Sequence, residues 1–297
     1  MKFTRSDKLF VAAVNAVMFL VCIVCIYPLW YCFIISVSNT RLVSTREIWF
    51  VPRYFTLVNY SAVFRDSRLM NAFFLSVRRT AVGASVSVFM NAMAAYPLSK
   101  KYFIGRPVFM TVILITMFFS GGLVPWYLMI SNLKLLNSFW GFIIPSIYSA
   151  GTIIIMRSFF SNIPIEMDES AKLDGASDLT IFFRIYLPLS KAMLATMLLF
   201  SAVGHWNDWF TGDFLMTKQE LKPLSTVLME LIVRSNSMSA GASTEEGSNL
   251  IMLLQYRPTP GGIKMAAVMV STVPILVVYP FLQKYFAHGI MIGSVKG

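Results

Sequence analysis

Charged residues are scarce in this sequence. Only 13% of its 297 residues are Asp, Glu, Lys or Arg, whereas 57% are hydrophobic and the mean hydropathy is +0.67. This composition excludes an intrinsically disordered chain, and it also excludes a water-soluble domain whose surface is covered by charge. The scarcity of charge therefore predicts a membrane protein.

Histidine and cysteine are also rare, which limits the chemistry that the chain can perform. The two histidines, His205 and His288, lie far apart, and no spacing of His, Cys, Asp or Glu is typical of a metal site. The three cysteines lie in one apolar segment, where a thiol behaves as a small hydrophobic group; they are Cys22, Cys25 and Cys32. We therefore expect no metal site, no disulfide and no membrane hydrolase activity.

Two further absences concern a source of energy. The sequence has no G-x-x-x-x-G-K-[ST] motif, so we expect no ATP bound through a phosphate-binding loop and no cofactor in this chain. Acidic residues are nearly absent from the long apolar runs, apart from Asp208, whereas proton- or sodium-coupled carriers usually keep ionisable groups at mid-membrane. Any energy is therefore expected to come from another subunit.

What the sequence does contain is a series of long apolar runs, which predict six membrane-spanning helices. They lie near residues 9–37, 70–98, 107–130, 138–160, 189–211 and 264–286. The first run is nearly twice as long as the apolar region of a secretory signal peptide, so we expect it to remain as a span. Lys2, Arg5 and Lys8 before it place the N-terminus in the cytoplasm, and six spans then return the C-terminus to the same side.

The net charge of +11 invites a nucleic-acid function, but no basic, aromatic-rich soluble segment is present to bind nucleic acid. Basic loops held on the cytoplasmic side, against anionic lipid, explain much of the excess. The predicted external loop at about 39–69 is the exception, because five arginines lie there: Arg41, Arg46, Arg53, Arg65 and Arg68. An acidic partner protein, an anionic ligand and lipid phosphates are three open explanations.

The second predicted span carries a row of small and polar residues on one face. Gly83, Ser87, Asn91 and Ala95 recur every four positions, so another helix can approach closely there. Asn91 lies at mid-span, where a buried amide needs a hydrogen-bond partner. It is a candidate either for helix packing or for the lining of a pathway.

Between the fifth and sixth spans, the segment at about 212–262 is too polar to cross the membrane and too long for a tight turn. Apolar residues recur there at helical spacing around Pro223: Leu221, Leu224, Val227, Leu228, Leu231 and Ile232. This pattern predicts an amphipathic interfacial helix within an external loop.

The segment between the fourth and fifth spans contains strong helix-boundary signals and lies on the cytoplasmic side in this topology. Pro164 suits a first helical turn, and the acidic residues after it suit the positive end of a helix. Gly175 can adopt the positive φ that ends a helix. A second helix can begin at Ser177 or Asp178, and Pro188 restricts its continuation. The predicted result is a pair of short helices joined at a glycine.

The spacing of this segment resembles the cytoplasmic loop of ATP-binding-cassette importer permeases, which reads E-A-A-x3-G-x9-I-x-L-P. Glu169-Ser170-Ala171 is followed by three residues and Gly175, and then by nine residues and Ile185-x-Leu187-Pro188. Ser170 replaces the first alanine, a change of one small residue for another. The resemblance implies that this coupling loop, about 161–188, forms helices that dock into a groove of an ATPase subunit. The residues implied in coupling are Glu169, Ser170, Ala171, Asp174, Gly175, Ile185, Leu187 and Pro188.

Weaker similarities extend over nearly the whole chain to the carbohydrate branch of these permeases. They are carried by the segments 119–125, 137–140, 284–286 and 293–297. These segments look like the subgroup that imports complex or acidic polysaccharide fragments, which includes the smaller permease of the alginate importer. The implied fold is all-α, a single transmembrane permease domain over residues 1–297 in the inner membrane.

The resemblance also implies partners. They are a second permease subunit, two ATPase subunits that bind ATP and magnesium, and an external sugar-binding protein, besides membrane lipid. The chain itself is expected to catalyse no reaction. An acidic oligosaccharide is the expected cargo, a neutral sugar or another small solute is the alternative, and a secondary carrier is the rival that the coupling-loop motif disfavours.

A last candidate region closes the fifth span. Trp206, Asn207 and Asp208 combine an aromatic face with polar groups there. Sugar rings stack on aromatic side chains while their hydroxyls need hydrogen-bond partners. The same residues also fit the aromatic belt found at membrane interfaces, so both interpretations stay open.

Overall fold

The computed structural model describes residues 5–40, 48–239 and 258–289 of the chain. Throughout these ranges the secondary structure is helical, apart from loops and one isolated bridge between Ser38 and Phe55. The all-α fold expected from the sequence is confirmed.

The helices follow one another along the chain with short connections. In order they are α1 (Arg5–Ser36), α2 (Val58–Arg65), α3 (Ser67–Ser99), α4 (Arg106–Phe118), α5 (Leu123–Asn132), α6 (Trp140–Ile143), α7 (Ala150–Phe160), α8 (Ile165–Leu173), α9 (Asp178–Ile181), α10 (Leu187–Leu189), α11 (Lys191–Asn207), α12 (Phe210–Leu215), α13 (Leu224–Ser239) and α14 (Pro260–Gly289). A π-helical turn, Phe182–Tyr186, joins α9 to α10, and single 3-10 turns lie at Ile144–Ser146 and Gln219–Leu221.

Three of these helices, α1, α3 and α14, are long and apolar enough to cross a membrane by themselves. Three pairs pass the same test together: α4 with α5, α6 with α7, and the α9–α10 segment with α11. They are bent by 115°, 53° and 82°. If each bent pair is one span, the described residues contain six spans. Each of them overlaps a predicted apolar run, but the fifth begins at Asp178, within the predicted coupling loop, and not near residue 189 as expected, because the helix continues through Pro188.

The bends occur at residues that do not suit a continuous helix. Gly122, between α4 and α5, has a φ of +83°, a conformation that residues with a side chain rarely adopt. Pro145 lies at the second bend, and Ser149 then caps α7 by accepting a hydrogen bond from Thr152 N–H (3.3 Å). At the third bend the helix continues past Pro188, which lies in the first turn of α10, and breaks at Ser190.

The amphipathic helix predicted after Pro223 is present as α13. It begins at Leu224, where the N–H donates to Ser76 Oγ (2.8 Å). Leu224 and Val227 are buried, whereas Val233 is exposed, as expected for a helix with one apolar face.

The chain divides into two compact units. They are Met1–Met70 with Leu228–Val273, and Asn71–Val227 with Pro274–Gly297. In the first unit, Arg68 forms an ion pair with Glu230, so one of the five arginines of the predicted external loop is neutralised by a neighbour. Arg53 and Arg65 are exposed, and Arg41 and Arg46 lie outside the described residues.

The second unit contains both candidate sites. A buried apolar cluster joins α3 and α7 to the α9–α10 segment, with Tyr96, Met156, Phe160 and Phe182 among its members. This cluster fixes the ends of three spans against one another. It thereby provides a rigid base for the coupling loop.

Candidate functional site

The coupling loop forms the two short helices that the sequence predicted. The first, α8, begins directly after Pro164, and Glu166 and Asp168 place negative charge in its first turn, at the positive end of the helix dipole. It is followed by Asp174 and then by Gly175, which has a φ of +82°. A side chain at that position would strain the backbone, so the reversal between the helices requires glycine.

The second half of the loop is anchored by a cap and by apolar packing. Ser177 Oγ accepts a hydrogen bond from Thr180 N–H (3.3 Å), which fixes the start of α9. The side chains of Ile181, Phe182 and Tyr186 are buried in the apolar cluster with α3 and α7. One face of the α9–α10 segment is therefore packed into the protein, whereas Leu179, Phe183 and Leu189 remain exposed.

The eight predicted coupling residues divide into two groups by exposure. Glu169, Ser170, Asp174, Gly175 and Pro188 are exposed, whereas Ala171, Ile185 and Leu187 are half-buried against the apolar cluster. The apolar residues Ile165 and Leu173, at the two ends of α8, are 51% and 89% exposed. Exposed acidic, small and apolar residues on one short helix form a surface suited to a protein partner.

The anchor of α8 is a buried ion pair that the sequence did not reveal. Lys100 directly follows α3, and its Nζ donates to the carboxylate of Asp168 and to Tyr186 OH (2.6 Å). Burial lowers the pKa of Lys100, while the neighbouring carboxylate opposes that shift. Lys100 was not singled out from the sequence, because nothing in the local pattern of a lysine indicates a partner 68 positions away.

A second set of contacts, at the surface, holds the other end of α8. Lys172 Nζ donates to Tyr102 OH (2.9 Å) and lies 3.4 Å from the Asp178 carboxylate. The hydrogen bond that Lys172 donates to Tyr102 raises the pKa of Lys172. Both partners of this ion pair are largely exposed, so it contributes much less to the position of α8 than a buried pair does.

The second candidate site is a polar cavity of about 410 Å³ among the spans of the second unit. Its lining is rich in hydroxyl groups: Ser87, Ser146, Ser149, Thr152, Ser201 and Thr211. Trp126, Phe142 and Phe200 add aromatic surface. Hydroxyl donors and acceptors beside aromatic rings match the two surfaces of a sugar ring, its hydroxyls and its apolar face.

Arg79 and Asp208 line this cavity as an ion pair. Arg79 is 1% exposed; its Nη2 donates to the Asp208 carboxylate and its Nη1 to the Asp208 carbonyl (3.0 Å). The guanidinium carbon also lies 4.3 Å from the centre of the Phe142 ring. Asp208 was a sequence candidate for the pathway. Arg79 was missed, because a basic residue within an apolar run gives no indication of the carboxylate that it pairs with.

His205 also lines the cavity, and it lies against Gly83. A Cβ atom built at Gly83 would be 2.5 Å from Cε1 of His205, which is closer than packed atoms approach. His205 Nε2 lies 3.5 Å from Ser146 Oγ. The row of small residues in α3 does accommodate a neighbouring helix, as predicted, and the group that Gly83 admits is an imidazole ring of α11.

Asn91 serves helix packing. Its Nδ2 donates to the carbonyl oxygens of Ser87 and Ile147 (both 2.7 Å), and its Oδ1 accepts from Ser149 N–H (2.9 Å). These bonds hold the break between α6 and α7 against α3. Asn91 is 1% exposed, and its neighbours Ser87 and Ser149, rather than Asn91 itself, line the cavity.

The remaining pathway candidates, Trp206 and Asn207, lie apart from the polar cavity. Trp206 packs edge-on against Phe73 with ring centres 6.0 Å apart, and it lines a separate apolar groove of about 590 Å³ with Val77 and Pro274. Asn207 is exposed at the end of α11. Of the four residues predicted for the pathway, Asp208 is the one that lines the polar cavity.

Comparison with known proteins confirms the resemblance to importer permeases. The model of the family described as binding-protein-dependent transport system inner membrane component matches residues 76–292. The chain is 36% identical over 292 residues to the polygalacturonan/rhamnogalacturonan transport system permease protein YtcP of Bacillus subtilis strain 168, a match that covers 98% of this chain and 100% of that protein. It is also 36% identical over 295 residues to protein LplC of the same strain, covering 99% and 95% of the two chains.

A solved structure has the same fold. It is a crystal structure of a bacterial ABC transporter involved in the import of the acidic polysaccharide alginate, and one of its chains matches with a TM-score of 0.85 and 30% sequence identity. The match covers 96% of this chain and 99% of that chain. The fold of this chain is therefore shared with a chain of that transporter.

Proposed function

The chain belongs to the family of inner membrane components of binding-protein-dependent transport systems, and from that premise we propose that it is a permease subunit of an ATP-binding-cassette importer whose cargo is a fragment of an acidic polysaccharide. The observation that carries the proposal is the exposed helix α8. It presents Glu169 and Ser170 together with two exposed apolar residues at its ends, while the helical segment after it packs one face into the buried apolar cluster.

We propose that α8 docks on an ATPase subunit, which binds ATP and magnesium in place of this chain. Two such subunits, a second permease and an external sugar-binding protein complete the importer. When ATP closes the ATPase dimer, α8 moves with it and tilts the spans to which it is attached. The pathway then changes from inward-open to outward-open, and the external protein releases its sugar into it.

The polar cavity is the part of the pathway that this chain contributes. Its hydroxyl-rich lining offers hydrogen bonds to a sugar, and Trp126 offers a ring on which a sugar can stack. The similar proteins favour acidic cargo. One relative is named as a polygalacturonan/rhamnogalacturonan transport permease, and the similar solved structure is a transporter involved in the import of alginate, an acidic polysaccharide. Exposed Arg53 and Arg65 add positive charge in the predicted external loop.

A neutral sugar is the second candidate cargo, and a specific observation favours it. The Arg79 guanidinium that lines the cavity is already paired with Asp208. The cavity therefore offers no unpaired arginine among its lining residues to attract a carboxylate. Any preference for acidic over neutral sugars would then depend on the external loop or on the binding protein.

Uptake by the complete importer in proteoliposomes tests both proposals. We expect ATP-dependent uptake of a uronate oligosaccharide to exceed that of its methyl-esterified, uncharged form, and to fall when Arg41, Arg46 and Arg53 are neutralised together. The fall should be larger at low salt, where screening is weakest, and uptake of the neutral form should not change. Preferred uptake of the neutral form would contradict the acidic cargo and leave the permease assignment intact.

A further inference from the structure

The first helix of the coupling loop is held in an unusual way. Asp168 is its one buried residue, although α8 spans nine residues and the structure describes all of them. Short surface helices usually attach through an apolar face, but here the apolar residues Ile165 and Leu173 are exposed. The interior contact of α8 is thus made chiefly by a carboxylate.

The partner of that carboxylate lies where three elements meet. Lys100 follows the last residue of α3, and its Nζ contacts Asp168 of α8 and Tyr186 of the π-helical turn. The same ammonium group lies 3.8 Å from the Tyr186 ring centre and 4.5 Å from that of Tyr96 in α3. An ammonium group inside an aromatic cage, paired with one carboxylate, has little freedom to choose another partner.

Helix α3 leads from this junction directly to the polar cavity. Arg79, which lines the cavity, lies in the same helix, about 30 Å along its axis from Ser99 at 1.5 Å per residue. A displacement of α8 that is transmitted to the end of α3 therefore reaches the cavity through one continuous helix. Without the ion pair, α8 would keep its exposed contacts and the half-buried Ala171 but lose its buried ionic link to the end of α3.

We propose that Lys100 and Asp168 are positioning residues that transmit the movement of α8 to α3. The inference rests on the proposed function, since it requires an ATPase to move α8. An ion pair suits this role better than an apolar contact. Separating its two partners would leave a buried charge uncompensated, whereas apolar surfaces can slide past one another at little cost. The pair thus ties α8 to α3 in one register during the transport cycle.

The test measures sugar transported per ATP hydrolysed by the complete importer in proteoliposomes, with its binding protein present. The single variants Asp168→Asn and Lys100→Met each remove one charge of the pair. We expect both to keep the ATPase bound and hydrolysing ATP, while sugar per ATP falls at least about tenfold, as loss of a buried charge partner would allow. The conservative Lys100→Arg variant and the exchanged pair, Lys100→Asp with Asp168→Lys, should recover a large part of the coupling.

The matched control is Lys172→Met, which removes the exposed ion pair of the same helix and should change sugar per ATP less than about twofold. Two results would overturn the proposal: normal coupling in both single variants, or equal uncoupling by Lys172→Met. It would also be overturned if the single variants lose the ATPase subunit altogether and the exchanged pair does not restore it, because the pair would then serve assembly alone. If the wild-type complex neither binds an ATPase nor transports sugar, the proposed function fails instead.

Discussion

At the scale of single residues, two glycines are required for different physical reasons. Gly175 has a positive φ, and no atom lies within 4 Å of the Cβ that a substitution would add. Its constraint is therefore the backbone conformation. Gly83 lies in a regular helix, and its constraint is the imidazole ring of His205, which occupies the space that a Cβ would need. The first glycine shapes the exposed coupling loop, and the second allows the wall of the cavity to close.

We predict that Gly175→Val uncouples ATP hydrolysis from sugar uptake while the protein stays in the membrane. A side chain in the left-handed conformation costs about 1–2 kcal/mol, so the loop should relax and change the direction in which α8 points. Gly151→Val is the control, because Gly151 also has open space around its Cβ but no positive φ. Uptake at the wild-type rate by the Gly175 variant would contradict the role of the turn.

We also predict that Gly83→Ala destabilises the protein by about 1–3 kcal/mol, because the added methyl group forces His205 out of its position. Thermal unfolding of the purified complex measures the change. The double variant Gly83→Ala with His205→Ala should recover part of the loss, since the second change removes the ring that clashes. An unfolding temperature for Gly83→Ala equal to that of the wild type would show that the helices have room to separate.

At the scale of elements, the two halves of the coupling loop are attached differently. The α9–α10 segment is held by buried side chains, with Phe182 and Tyr186 packed on α3 and α7. The helix α8 is held chiefly by polar contacts, with Ala171 half-buried against the apolar cluster, and leaves Glu169 and Leu173 exposed. The α9–α10 segment is thus fixed to the spans, whereas α8 is exposed to a partner. This arrangement suits the proposed docking of α8 on a moving ATPase subunit.

We predict that a cysteine in place of Glu169 or Leu173 forms a cross-link with an ATPase subunit in a background from which Cys22, Cys25 and Cys32 have been removed. Both positions are exposed on α8 or at its end, so a short cross-linker can reach a docked partner. A cysteine in place of Leu179, which is exposed on α9, compares the second helix of the same loop. Failure at both α8 positions, with success at Leu179, would move the docking surface to the second helix.

At the scale of the whole molecule, two features are prominent: exposed apolar surface and candidate spans that bend. The apolar part of α1, Phe10–Ser36, buries none of its most hydrophobic window within this chain. In an importer that surface would face lipid or a second permease subunit. Each bent span changes direction at a glycine, proline or serine, and bends of this kind leave room for a polar cavity that a bundle of straight helices would fill.

We predict that both termini lie on the cytoplasmic side of the membrane. The basic residues before the first span resist translocation, and an even number of spans returns the chain to the side where it started. An epitope tag after Gly297 should be digested by protease in inverted vesicles and protected in intact spheroplasts. A tag inserted near residue 245, in the predicted external loop, is the control and should behave in the opposite way; accessibility of both tags from the same side would contradict the topology.

The sequence alone determined the all-α membrane class, the positions of the candidate spans and the two short helices of the predicted coupling loop. These features follow from local physics: the length of an apolar run, the restricted φ of proline and the positive φ open to glycine. Pro164 and Gly175 mark the boundaries of α8 in the sequence, and the structure confirms both. The motif at Glu169 could be recognised in the sequence for the same reason, since its spacing is defined along one short stretch of chain.

Only the tertiary structure decided which charges are partners. Lys100 pairs with Asp168, and Arg79 pairs with Asp208 across 129 positions. It also separated Asp208, which lines the polar cavity, from Trp206, which lines an apolar groove two residues earlier in the chain. Adjacent residues of a helix point about 100° apart, and the partner of a buried charge depends on which helices pack together. Those pairings depend on packing across the whole chain, so no local pattern in the sequence could have shown them.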